Sequence, residues 1–126
     1  MTKSLLYRDI TYKIRGAAFE VFNKLGFGHK EHVYQKALGI EFDKLDLNYK
    51  NEPRLQVKYE EQKLGTYVPD FLVEDKVIVE LKSMRFFPPD LDKQLVNYLK
   101  VTGYKVAIAI NFGSEKIEIR RRIWTR

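Results

Sequence analysis

Apolar positions first recur along the chain with a period of three to four. Ile10, Ile14, Ala17, Val21 and Leu25 fall at helical steps, which predicts a helix over Tyr7–Leu25. Gly26 supplies its stop, because glycine tolerates the left-handed backbone that often follows a helix end. A short Gly26-Phe27-Gly28 link leads to a second helix, Lys30–Leu45, whose stripe is Tyr34, Leu38, Phe42 and Leu45. From Arg54 to Tyr59 the period drops to two, with Leu55, Val57 and Tyr59 against Arg54, Gln56 and Lys58, which predicts a half-buried strand. Glu60–Leu64 reads as a polar turn, and Thr66–Val73 and Lys76–Leu81 as two strands around Glu74-Asp75. After Pro88-Pro89 a third helix is predicted over Leu91–Thr102, with Asp90 as candidate N-cap and Gly103 as stop. Lys105–Phe112 reads as a strand of the buried kind, and Lys116–Trp124 as an alternating final one.

The resulting order, ααβββαββ, predicts an α/β sandwich of two or three layers around a mixed central sheet. Lys76–Leu81, the third helix and Lys105–Phe112 would form its right-handed parallel crossover. No repeat, low-complexity tract or Gly/Ser linker interrupts the chain, so residues 1–126 are expected to form one domain.

Composition narrows the chemistry. With 44% of 126 residues hydrophobic, the chain has enough apolar surface for a core, which argues against disorder. The absence of cysteine excludes disulfides, thiol nucleophiles and thiolate metal sites. The longest apolar run, Val106–Ile110, is far short of the ~20 residues that span a bilayer. Arg8 and Asp9 arrive before any signal-peptide core could form, so a soluble, cytoplasmic protein without membrane contact is expected. The net charge of +6 is uneven: from Lys93 onward there are eight basic residues, ending in Arg120, Arg121, Arg122 and Arg126, against only Glu115 and Glu118. That excess reads either as affinity for a polyanion or as an ordinary solvated face with a basic tail.

The informative stretch is Val68-Pro69-Asp70 and Val79-Glu80-Leu81-Lys82. A turn centred on Asp75 sets Asp70 opposite Glu80, with Cβ atoms about 4.5–5.5 Å apart on one face. Lys82, two residues on, shares that face, while Val77, Val79 and Leu81 point to the other. A slip of one residue would send Asp70 to the opposite side, so the geometry depends on the turn. Two adjacent carboxylates repel unless a cation lies between them, and Mg²⁺ is a hard ion that takes such oxygens and keeps reactive waters. A neighbouring lysine can orient that water and offset charge developing on a phosphate. The alternative is a cross-strand surface cluster in which Lys82 simply pairs with a carboxylate. Glu31 heads the second helix, where an acid is favoured by the helix N-terminus and would point towards the sheet, or would lie on the surface. Gln94 and Tyr98, four apart on the third helix, share a face that suits a nucleotide's phosphate or base, or a half-buried polar edge.

Pro69-Asp70, nine residues, then Glu80-Leu81-Lys82 resembles the motif of the PD-(D/E)XK nucleases. Gln94-Leu-Val-Asn-Tyr98 resembles the QxxxY motif of their RecB-like branch, and Gly28-His-Lys-Glu31-His-Val-Tyr34 the signature of the GxxExxY family within that superfamily. The likeness runs from the first helix to Ile110-Asn-Phe-Gly113. It implies a restriction-endonuclease-like core and phosphodiester hydrolysis dependent on Mg²⁺, with Mn²⁺ as a substitute. By position, Asp70 and Glu80 would hold the metal with the Leu81 carbonyl, Glu31 would add a ligand, and Lys82 would position the attacking water. Gln94 would steady the lysine region or the substrate. Tyr98, with Lys93, Lys30 and His29 beside the site, would contact nucleic acid, DNA ahead of RNA. His29-Lys30 departs from the apolar residues usual between that glycine and glutamate. His29 is either a metal ligand from the helical side or a surface histidine, and His32 is expected to face solvent.

Three other readings compete: a non-catalytic module binding nucleic acid or a protein, an endonuclease of the Holliday-junction-resolvase kind, and a glycosidase. The last lacks the pocket and general-acid environment it needs. So short a chain leaves little room for sequence recognition, so dimerisation or a protein partner stays open.

Overall fold

The computed structural model describes residues 6–126; the leader expectation rests partly on residues 1–5, which lie outside them. Its elements are α1 (Arg8–Leu25), α2 (Glu31–Lys44), β1 (Tyr49–Asn51), β2 (Leu55–Tyr59), β3 (Gln62–Tyr67), β4 (Phe71–Val73), β5 (Val77–Lys82), α3 (Leu91–Thr102), β6 (Val106–Asn111) and β7 (Glu118–Ile123). Five strands make a mixed sheet in the order β1-β4-β5-β6-β7, in which only β5 and β6 run parallel, joined through α3. The β2–β3 hairpin forms a separate two-stranded sheet. This is an α/β fold with helices on both faces of the sheet, as a restriction-endonuclease-like core requires.

Strand alternation divides the core in two. Val73, Val77, Val79 and Leu81, with Val106, Ile108 and Ile110, pack against Ile14, Ala17 and Val21 of α1 and Tyr34, Leu38 and Phe42 of α2. Leu72 and Ile78, with Ala107 and Ala109, turn the other way to meet Leu91, Leu95 and Leu99 of α3 and Leu55 and Tyr67 of the hairpin. The small alanines let α3 approach the sheet closely.

The chain departs from the expected order in two places. The predicted strand Thr66–Val73 is broken, because Pro69 lacks an N–H for a ladder and the chain crosses there from the hairpin to the central sheet. Three residues with no alternation, Tyr49-Lys50-Asn51, form the edge strand β1 instead of a loop. Tyr49 anchors them: its ring packs edge-on against Phe42 and Phe71, and its hydroxyl donates to the Gly39 carbonyl at 3.1 Å and to Asp43 Oδ1 at 2.9 Å. The order is therefore ααβββββαββ.

The helix stops stand where expected, with Gly26 at φ 72° and Gly103 at φ 87°. Asp90 occupies the N-cap position of α3, but its side chain caps no amide; its Oδ2 accepts from Gln94 Nε2 at 3.4 Å. Three arginines of the basic C-terminal excess are tied down. Arg120 and Arg122 both clasp Asp92 in the first turn of α3, at 3.3 and 2.8 Å, and Arg120 also meets Glu118. Arg121 donates to the Leu6 carbonyl at 2.6 Å. No helix among the described residues is long and apolar enough to cross a membrane.

Candidate active site

The β4–β5 turn sets the register Phe71↔Val79, Leu72↔Ile78 and Val73↔Val77, and one step further Asp70 stands across from Glu80. Asp70, Glu80 and Lys82 thus share the α3-side face of the sheet, at the end where β5 runs out. Asp70 is held from two directions: the Leu81 amide donates to its Oδ2 at 2.7 Å, and Gln35 Nε2 of α2 donates to its Oδ1 at 2.9 Å. Gln35 belongs to the helix layer on the opposite face, so this bond passes the start of β4.

Burial raises the Asp70 pKa above the usual carboxylate value, although the Leu81 amide, Gln35 and Lys82 oppose it. Glu80 is pushed further, to about 7, by burial first and the Asp70 charge second. Lys82, the Tyr67 hydroxyl and the Asp70 amide pull it back only in part. Two half-buried carboxylates side by side, one near neutral pKa, make a site that gains from a cation.

A built scaffold surrounds this pair. The Phe112 amide donates to the Lys82 carbonyl at 2.9 Å, and the Gly28 amide to the Phe112 carbonyl at 3.2 Å. Asn111, 1% exposed, accepts from the Met84 and Gly113 amides and donates to the Met84 carbonyl, fixing the chain directly after Lys82. Gly28 has φ 90°, a conformation that disfavours side chains, and Tyr34 bonds from its hydroxyl to the Gly26 carbonyl at 2.7 Å. In Gly28-x-x-Glu31-x-x-Tyr34, the glycine and the tyrosine therefore shape the link that delivers α2.

The other expected site residues are placed less centrally. Glu31 begins α2 and is exposed, one turn before Gln35; among the described residues no three Asp, Glu or His side chains gather closely enough to hold a metal. The His29 ring lies 2.9 Å from the Leu25 carbonyl and edge-on to Tyr34, while its own carbonyl accepts from Ser83 Oγ. A ring nitrogen engaged in this way makes His29 a brace between the α1–α2 link and the end of β5. Lys30 is the exposed N-cap residue of α2, and His32 is exposed beside it. On α3, Lys93 and Gln94 are exposed, and Tyr98 stacks on Tyr67 at 3.6 Å with the rings 5° apart. The Leu81 side chain is buried on the far face, so only its backbone addresses the site.

Gln35, Tyr67 and Asn111 are the neighbours that sequence reasoning passed over. Gln35 follows Glu31 by four, so the helical spacing applied to Gln94 and Tyr98 would have found it. Asn111, a lone polar residue closing a buried apolar run, was also a visible signal.

The family model of the PD-(D/E)XK nuclease superfamily matches residues 8–122. No curated protein and no solved structure matches the chain significantly. With that match spanning all three helices and the Asp70–Glu80–Lys82 face, the chain belongs to the PD-(D/E)XK nuclease superfamily.

Proposed function

We propose that this protein is a metal-dependent nuclease that hydrolyses phosphodiester bonds of nucleic acid, DNA ahead of RNA. The observation that carries the reading is the Asp70–Glu80 pair beside Lys82, with burial raising both carboxyl pKa values and the Asp70 charge adding to the rise at Glu80. A pair of carboxylates suits Mg²⁺, which binds through one or two carboxylates, retains waters and accepts substrate phosphates. The donor set is all hard oxygen, which also suits Mn²⁺. Bound there, the cation would polarise the phosphate and lower the pKa of a water.

Asp70 and Glu80 would hold that ion, with the Leu81 carbonyl beside them. Gln35 and the Leu81 amide fix the Asp70 carboxylate before anything binds, so little reorganisation is left for the reaction. Lys82 Nζ would orient the attacking water and offset charge on the phosphate oxygens. Glu31, on the Gln35 side of α2, would act as an outer ligand through water. Gln94 and Tyr98, with Lys93, Lys30 and His29 around the rim, would line the strand's path. The Gly28–Tyr34 and Gln94–Tyr98 spacings support placing the chain with the GxxExxY and RecB-like nucleases.

Lys82→Ala is expected to slow cleavage of labelled DNA about 10²–10³-fold, the usual effect of removing one charge-stabilising donor. Calorimetric Mn²⁺ binding should survive in the same variant. Cleavage at the wild-type rate would remove Lys82 from the chemistry and favour a binding-only module.

A further inference from the structure

The β2–β3 hairpin brings to the site a side chain that this mechanism leaves unused. Tyr67 is 7% exposed, and its hydroxyl oxygen is buried without a hydrogen-bond partner among the described residues. Such hydroxyls are uncommon, because burial forfeits their bonds to water. The ring is not free to turn away. It lies flat on Tyr98, with centroids 3.6 Å apart, and it shares a core cluster with Leu72, Ile78 and Leu95. The Glu80 carboxylate is close enough to disfavour ionisation of the phenol, while the hydroxyl in turn favours the charged carboxylate, yet the two stand outside strict hydrogen-bond geometry.

We propose that Tyr67 is a positioning residue: in the loaded site its hydroxyl donates to one oxygen of the Glu80 carboxylate and so directs the other oxygen at the cation. The geometry divides the labour between the two carboxylates. Asp70 is pre-set by Gln35 and the Leu81 amide, whereas among the described residues no side chain hydrogen-bonds the Glu80 carboxylate, and this phenol and Lys82 stand nearest to it. A bond from Tyr67 gives Glu80 the same kind of outer support. The stack on Tyr98 ties the support to α3, the helix proposed to meet the nucleic-acid strand. The inference rests on the metal-dependent reading of the site.

Tyr67→Phe keeps the ring and its stack and removes only the hydroxyl. Loss of an outer partner of a metal ligand weakens metal binding or activity roughly 10- to 100-fold. Titration calorimetry with Mn²⁺ alone should therefore show affinity reduced about tenfold or more, with the melting temperature in EDTA unchanged or raised. Cleavage at fixed Mn²⁺ should lose kcat while KM for DNA stays put. In a Glu80→Gln background the same substitution should have no effect on Mn²⁺ binding, since the two act through one bond. Unchanged Mn²⁺ affinity in Tyr67→Phe would overturn the proposal, and so would a change confined to KM, which would place the hydroxyl on the substrate. If the wild-type protein binds Mn²⁺ but cleaves nothing, the nuclease reading fails while the calorimetry still decides the role of Tyr67. If it binds no Mn²⁺, both fall.

Discussion

Glu80→Gln is expected to make the metal-free protein more stable at pH 8. Glu80 titrates near 7 in the folded protein, against an ordinary value of 4.5. The folded state therefore holds a proton that the unfolded state has lost between those two values. Stability falls as pH rises through that window and stays low above it. The penalty in full is on the order of 3 kcal/mol, from the size of a shift that already includes the opposing pull of Lys82 and Tyr67. Glutamine keeps the shape without the charge, so most of the penalty disappears. Melting curves in EDTA should show the variant several degrees above wild type at pH 8 and level with it near pH 4. Adding Mg²⁺ should raise the wild-type curve and leave the variant unmoved. A variant less stable than wild type at pH 8 in EDTA would show that the Asp70–Glu80 pair is not under electrostatic strain.

Gly113→Ala should act in the opposite direction and more strongly. A methyl group there would lie 2.1 Å from both the amide nitrogen and the carbonyl oxygen of Met84. Those are backbone atoms, held in place by two hydrogen bonds with Asn111, which also accepts from the Gly113 amide, so neither can swing aside as a flexible side chain would. The chain from Ser83 onward must shift, which should cost about 3 kcal/mol or more. For a chain this long that is roughly a 10 °C fall in melting temperature. Met84 is two residues beyond Lys82, so kcat should fall even in the fraction that stays folded. A melting curve within a degree or two of wild type would show that the loop after Lys82 is not pinned in this way.

Much of this architecture was legible in the sequence, and for identifiable reasons. Ile10–Leu25 and Leu91–Leu99 carry a helical period uninterrupted by proline, with glycines at φ 72° and 87° closing both helices. The three-residue turn Glu74-Asp75-Lys76 leaves one register open to the Phe71–Val73 and Val77–Val79 runs, so the facing of Asp70 and Glu80 could be counted out beforehand. Edge strand β1 could not be seen, because Tyr49 is held by tertiary contacts with Phe42 of α2 and with Phe71 of β4, which follows it by more than a whole hairpin. Glu31 and Gln94 show the limit of spacing arguments. A polar residue in the first turn of a helix has the same sequence pattern whether it faces a site or solvent, and both are exposed here. In the basic C-terminal quarter, a count of charges does not register that Asp92 receives both Arg120 and Arg122. Tyr67 was hidden by Pro69, which ends one sheet and begins another within three residues.

The most direct test is cleavage itself. Purified protein would be incubated with labelled single-stranded, duplex and branched DNA, and with RNA, in Mg²⁺ or Mn²⁺, beside EDTA and Glu80→Gln controls. The predicted result is metal-dependent cleavage of at least one substrate, abolished in EDTA and reduced at least about 10³-fold by Glu80→Gln. Cleavage that persists in either control, or nucleic-acid binding with no cleavage of any substrate, would contradict the assignment of Asp70, Glu80 and Lys82 as a working nuclease site.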